Sequence, residues 1–201
     1  IEYIRACFDL GISPEILPIS RIGTKHDSNV VTGNIASASE IRRRRLSGDS
    51  VASFMPDCDF TLYDPKLLDL AVISKLRLAT PDEISSINDM AEGLENKIIA
   101  EAKNANSVDE LAMAVKSKRY TLSRIRRILY STLLGLTKDL CALPPSYIRV
   151  LGMNDRGREL LRKMKETATL PVIIKPADYH GDPVFNANSK AEDIFALCST
   201  D

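Results

Sequence analysis

Tryptophan is absent from this 201-residue sequence, and aromatic residues make up only 5% of it. That scarcity argues against lectin-like surfaces and RNP-type platforms, which need exposed rings for stacking. The four cysteines, Cys7, Cys58, Cys141 and Cys198, are scattered and form no CxxC pair. Zinc ligands usually come in close pairs, so no structural metal is expected. No disulfide framework is expected either, in a chain of this size without a secretory leader. The thiols read as buried and reduced, since free Cys is among the most buried residue types. No apolar run approaches the ~18 residues of a membrane helix; a stretch such as 67–73 is broken by Asp69. Net charge is missing too: 27 Lys and Arg balance 27 Asp and Glu. Taken whole, that sum argues against a nucleic-acid partner. Walker A, GxGxxG, paired-histidine metal motifs and a nucleophile-with-base pattern are all lacking.

What is present is a globular composition. The 44% hydrophobic and 27% charged residues suffice for a core and exclude intrinsic disorder. The chain opens without Met on an amphipathic pattern, Ile1, Ile4 and Phe8 on one face, read as a helix in mid-course that ends at Gly11. Residues 15–19 read as a short strand, followed by the polar loop 21–34. Ser37 and Glu40 have capping-box spacing for the next helix, which carries Ile41 and Arg42 to Arg45. A further short helix is expected from Asp49 and Ser50 to Pro56. Beyond that the pattern is helical. Helices are predicted over 67–78, from the Thr80-Pro81 start to about 103, over 107–118, and from Thr121 to Gly135. Residues 147–151 and 170–174 read as strands that could pair. Helices follow over 155–165 and 190–197, and Asp178 to Asp182, with His180, reads as a turn. The expected fold class is mainly α with a minor β component. Residues 1–56 read as the tail of an α/β domain and 57–201 as a mostly helical domain.

Three places could carry chemistry. Arg21 follows the first strand, and Ser37, Ser39 and Arg42 cluster at a helix start, where free N–H groups and the positive dipole end favour an anion. Plain capping by Ser37 explains the same pattern without a ligand. His26, beside Asp27, could act in acid–base work or stand as a surface residue. The second place is 111–138, which holds Lys116, Lys118, Arg119, Arg124, Arg126, Arg127 and Lys138 and no acid. The preceding stretch, 80–110, holds eight acids against Lys97 and Lys103. Zero charge is therefore the sum of opposed regions. The basic one either meets a phosphate backbone or is neutralised by its acidic neighbour. On the helix from Thr121, Ile125, Ile128, Leu129 and Thr132 form the apolar stripe, Arg124 and Arg127 share a flank, and Arg126 faces elsewhere. The third place is Arg149 with Arg156, Arg158, Arg162, Lys163 and Lys165, which an exposed amphipathic helix also explains.

Arg21-Ile22-Gly23, then 36–42 (ASASEIR), Met55-Pro56, 119–127 (RYTLSRIRR) and 147–154 (YIRVLGMN) occur in this order. Together they resemble the bacterial tRNA(Met) cytidine acetate ligases, nucleotidyltransferase-like enzymes of the HIGH superfamily. The resemblance covers nearly the whole chain. It implies a protein that makes acetyl-adenylate from ATP, with Mg, and acetate, then acetylates N4 of the wobble cytidine of elongator tRNA(Met) in the cytoplasm. It implies ATP or phosphate contacts at Arg21, Ser37, Ser39 and Arg42. It implies RNA contacts at Lys118, Arg119, Arg124, Arg126, Arg127 and Arg149. The HxGH signature of the family's nucleotidyltransferase domain is absent, since neither His26 nor His180 is followed by Gly-His. The chain is thus expected to correspond to the C-terminal half and to be inactive by itself. A non-catalytic RNA-binding module and a helical protein-interaction scaffold are the alternatives. No membrane partner is implied, and the pattern gives no oligomeric state.

Overall fold

A computed structural model describes residues 2–25, 27–56 and 61–200. It is mainly helical and divides into two compact units, residues 1–62 and 63–201. The boundary expected at 56/57 borders 57–60, and Cys58 and His26 likewise lie outside the described residues.

The first unit holds α1 (Glu2–Asp9) and α2 (Ala38–Leu46). Helix α1 closes at Gly11, where the amide of Ile12 bonds the carbonyl of Cys7 at 3.0 Å. Two expectations fail here. Residues 15–19 form no strand, because Pro18 removes a ladder donor and no neighbour among the described residues accepts its bonds. Leu17 and Ile19 are 81% and 89% exposed. The helix expected from Asp49 to Pro56 is a single turn, closed by Phe54 N–H to the Val51 carbonyl at 2.9 Å. Among the described residues of this unit the buried side chains are polar: Thr24, Ser37 and Glu40.

The second unit carries α3 (Asp69–Leu78), α4 (Pro81–Ser85), α5 (Leu94–Ala102), α6 (Val108–Val115), α7 (Leu122–Leu134), α8 (Lys138–Cys141), β1 (Ile148–Arg149), α9 (Asp155–Thr167), β2 (Val172–Ile173) and α10 (Pro183–Ala196). Side-chain oxygens fix most of the helix starts. Thr80 and Glu83 form a reciprocal capping box on α4, and Ser107 and Thr121 accept the amides of Glu110 and Arg124. Pro65 opens a short 3-10 turn that leads into α3. Helices α3, α5, α6 and α7 pack together. Their core includes Leu76, Ile98, Leu111, Ile125, Ile128 and Leu129, all fully buried. The stripe read on α7 is the one that faces inward.

The long helix expected from Thr80 to about 103 is broken instead. Residues 86–93 form a connection that ends at Gly93, whose φ of +81° a side chain would resist. Ile84 before the break and Leu94 after it are both buried in the core. The two strands do pair, in parallel, Ile148 with Val172 and Arg149 with Ile173. With α9 between them they form a small βαβ unit. Helix α10 begins earlier than its expected start at 190, because Asp182 caps it and Pro183 occupies its first turn. The thiols match the expected burial only in part. Cys198 is buried, Cys7 is half-buried, and Cys141 is exposed at the end of the four-residue α8.

Candidate functional site

In the first unit the structure gathers Ser37, Ser39 and Arg42 at the start of α2. The Ser37 hydroxyl, 2% exposed, donates to the Ser28 carbonyl at 2.8 Å and accepts the Glu40 amide at 3.1 Å. It is the helix cap. The Ser39 hydroxyl bonds the Asp27 carboxylate, which stands on a residue with φ +56°. Arg42 is exposed and bends back so that its Nε donates to the Ala38 carbonyl at 3.3 Å. Arg21 is exposed on the preceding loop and, among the described residues, makes no hydrogen bond or ion pair. The loop is folded tightly between them. A Cβ on Gly23, at φ +85°, would lie 3.0 Å from Ile35 Cγ2, so only glycine permits that approach. Below it the buried Thr24 hydroxyl has no hydrogen-bond partner among the described residues.

The arginine run divides by role. Arg43 grips the buried Glu40 carboxylate with Nε at 2.9 Å and Nη2 at 2.7 Å, and Arg44 adds Nε at 2.7 Å. Glu40 therefore does not close the capping box its spacing suggested. Its carboxylate turns away from the Ser37 amide and towards two cations. The Arg44 guanidinium also lies over the Phe54 ring, 5.1 Å from its centre. Hydrogen bonds from Arg43 and then Arg44 pull the Glu40 pKa from 4.5 to about 2. The folded pKa is lowered, so this contribution to stability is full above pH 4.5 and is lost as pH falls towards 2. The first unit is expected to melt progressively earlier over that window, and Glu40→Gln is expected to flatten the dependence. Thermal denaturation followed by NMR signals of α2 checks both. An unchanged acid profile in the variant would remove Glu40 from the account.

In the second unit most of the implicated arginines have internal partners. Arg124 donates Nε and Nη2 to the Asp89 carbonyl at 3.2 and 2.7 Å, with its guanidinium 5.2 Å from the centre of the Tyr120 ring. Arg127 donates to the Asp89 carboxylate at 3.1 and 3.0 Å. Arg126, facing the other way as read, takes the Asp109 carboxylate at 3.1 and 2.8 Å. The acidic stretch thus neutralises part of the basic one. The Arg126 and Arg127 pairs are solvent-exposed and so weakly held. Lys118 and Arg119, between α6 and α7, are exposed and have no carboxylate partner among the described residues.

Arg149 lies apart from these, on β1. Tyr147, Arg149 and Leu151 alternate along that segment and so share one side of it. Across from them α10 presents Asn188, Glu192 and Phe195, spaced by four and three residues on one helical face. Together they line an open groove of about 670 Å³. Arg149 Nη1 pairs with Glu192 Oε1, and this bond holds the guanidinium more firmly protonated. Asn188 bonds the Tyr147 hydroxyl. Sequence reasoning missed Asn188, Glu192 and Phe195. The Asp182-Pro183 start of α10 was the signal that would have put them on a common face.

Among the described residues no group of three or more His, Cys, Asp and Glu side chains is placed to hold a metal ion. Nor is any helix formed by them long and apolar enough to cross a membrane.

The chain belongs to the HIGH nucleotidyl transferase family, whose family model matches residues 1–201. Curated relatives are more particular. A protein of Clostridium perfringens (strain SM101 / Type A), 33% identical over 98% of this chain and 52% of its own length, is named tRNA(Met) cytidine acetate ligase. So is a protein of Thermoanaerobacter sp. (strain X514), 34% identical over the same shares. The chain spans about half the length of these relatives. Among solved structures, Thermotoga maritima TmcAL bound with alpha-thio ATP matches with a TM-score of 0.82 at 24% identity, over 100% of this chain and 54% of that one. The apo form matches with a TM-score of 0.83 at 22% identity, over 99% of this chain and 55% of that one. Those likenesses show the fold.

Proposed function

We propose that this chain serves the ATP-dependent acetylation of a tRNA(Met) cytidine, as part of a ligase that activates acetate as acetyl-adenylate and passes the acetyl group to N4 of the wobble cytidine. The observation that carries this is the 33–34% identity to ligases of that name along 98% of the chain. Residues 1–56 act as the C-terminal part of a Rossmann-like nucleotidyltransferase domain and 57–201 as the RNA-facing helical domain, in the cytoplasm.

In this reading the start of α2 faces the ATP phosphates. Its first-turn amides, Arg42 and Arg21 supply donors where negative charge collects on the leaving pyrophosphate, and the Ser39 hydroxyl joins them where phosphate displaces the Asp27 carboxylate; such donors act chiefly by positioning and electrostatic stabilisation. Ser37, whose hydroxyl proton is committed to the Ser28 carbonyl, contributes by holding the helix start in place. Magnesium would arrive with the nucleotide. Lys118 and Arg119 give the RNA acid-free cations, and Arg124, Arg126, Arg127 and Arg149 contribute where phosphate displaces or shares their internal partners. Because the HxGH signature is absent from the sequence, the chain by itself binds without turning over.

Two titrations test the reading. Binding of tRNA(Met) transcript is expected to fall steeply with salt, with a log–log slope of roughly −0.7 to −0.9 per phosphate contacted. Salt-independent binding, or none, would sink the RNA assignment. ATP is expected to shift the NMR signals of Ser39, Arg42 and Arg21. Shifts confined to other residues would remove the phosphate assignment.

A further inference from the structure

The start of α2 carries a carboxylate supplied by the preceding loop. Asp27 accepts the hydroxyl of Ser39, the second residue of the helix. The loop is built to deliver it. The Ser28 amide donates to the Lys25 carbonyl at 3.3 Å, and the Ser28 carbonyl is bonded by Ser37, the helix cap. Asp27 stands at φ +56°, a conformation that Asp and Asn adopt more readily than other side chains. Two adjacent loop residues therefore hold two parts of one helix start, Ser28 the cap and Asp27 the first turn. Neither Arg21 nor Arg42 pairs with this carboxylate, since Arg42 donates back to Ala38 and Arg21 has no partner among the described residues. The amides of Ala38 and Ser39 have no acceptor among the described residues either. Thr24, on the same loop and 6% exposed, adds a buried hydroxyl without a partner among them. Such a group costs stability until something supplies its bond. The site has donors to spare, and one carboxylate set against one of them.

A carboxylate at a helix N-terminus stands where an anionic ligand would bind. Because Asp27 is tethered, its effective concentration there is on the order of millimolar or more. Acetate or orthophosphate brings a single charged group to compete with it. A triphosphate brings several, and can engage Arg21 and Arg42 as well as the helix start. We propose that Asp27 is a specificity residue of this site: its carboxylate holds the Ser39 hydroxyl, keeps small anions from the start of α2, and yields only to a polyphosphate. The proposal rests on the phosphate assignment made above for Ser39, Arg42 and Arg21, and adds to it what the site rejects. A ligase that uses acetate and ATP together needs its phosphate donors closed to the acetate carboxylate.

The test titrates this chain with inorganic triphosphate, orthophosphate and acetate at constant ionic strength, following the amide NMR signals of Ala38 and Ser39. In the parent, triphosphate is expected to shift these signals, and orthophosphate and acetate at the same concentrations are expected to leave them in place. Asp27→Asn suits the same backbone conformation and keeps an oxygen for the Ser39 hydroxyl, but a neutral acceptor holds it with roughly half the strength. The variant is expected to bind triphosphate about fivefold tighter, the effect of taking one competing charge from a helix N-terminus, and to admit orthophosphate. Asp9→Asn, at the end of α1, removes the same charge from a residue with no bond to α2 and is expected to match the parent. Triphosphate affinity unchanged or weaker in Asp27→Asn, small anions shifting the parent as readily as triphosphate, or an equal gain in Asp9→Asn would each overturn the role of Asp27 and leave the phosphate assignment standing. If triphosphate moves these signals in neither the parent nor Asp27→Asn, the phosphate assignment falls, and this inference with it.

Discussion

Leu129→Ala is expected to lower the stability of the second unit by about 2–5 kcal/mol, the range for truncating a fully buried leucine. Leu129 has no exposed surface and belongs to the one large core cluster, on the helix that packs against both α3 and α6. Losing its isobutyl group removes the transfer free energy of the side chain and opens a cavity. Its neighbours, Ile125 and Ile128, are themselves fully packed and cannot close the gap. Leu70→Ala on α3 makes the same chemical change at a position 77% exposed, and is expected to stay within about 0.5 kcal/mol of the parent. Urea denaturation followed by circular dichroism measures both. Similar midpoints for the two variants would mean that α7 does not face the core.

Arg124→Ala is expected to cost about 2 kcal/mol of stability, from the loss of hydrogen bonds by a charged donor. The reason is local. Asp89 stands at φ +64° in the connection between α4 and α5, and its carbonyl has both Arg124 bonds as partners. Truncation leaves that carbonyl short of donors and takes the guanidinium off the Tyr120 ring. Arg124→Lys is not expected to restore the loss, since an ammonium lacks the planar fork that makes both bonds at once. The same variants separate two roles for this residue. A stability loss at unchanged tRNA affinity identifies Arg124 as a positioning residue for the 86–93 connection. Weaker tRNA binding at unchanged stability would give it a direct phosphate contact.

Helix starts were legible because they are written locally. The hydroxyl of Ser37, Thr80, Ser107 or Thr121 bonds an amide three residues along its own chain, and nothing distant is required. The apolar stripe of α7 was legible for the same reason, since a 3.6-residue period needs only the helix itself. Expectations failed where partners had to be supplied from elsewhere. Residues 15–19 have strand-like apolar character, but a strand exists only with a neighbour, and Pro18 withholds a donor. The helix from Thr80 starts on strong local signals, yet the chain leaves it over residues 86–93 and turns at Gly93, at φ +81°.

The candidate sites divide along the same line. The sequence placed Arg42 with Ser37 and Ser39 at a helix start, but it held no sign that Glu40 would be buried and bound by Arg43 and Arg44. It placed Arg124 and Arg127 on one flank without showing that both converge on Asp89.

By itself, then, the sequence determined where helices begin, which stripe of α7 turns inward, and the family motifs in their order, because each depends on residues close along the chain. Only the tertiary structure decided which charges are neutralised and which remain for a partner. The acidic and basic stretches nearly cancel in the sum, yet the cancellation between them is carried by a few contacts, Asp89 with Arg127 and Asp109 with Arg126. It leaves Lys118 and Arg119 without a carboxylate among the described residues. Coulomb attraction acts over a few ångströms in space, and separation along the chain does not fix that distance.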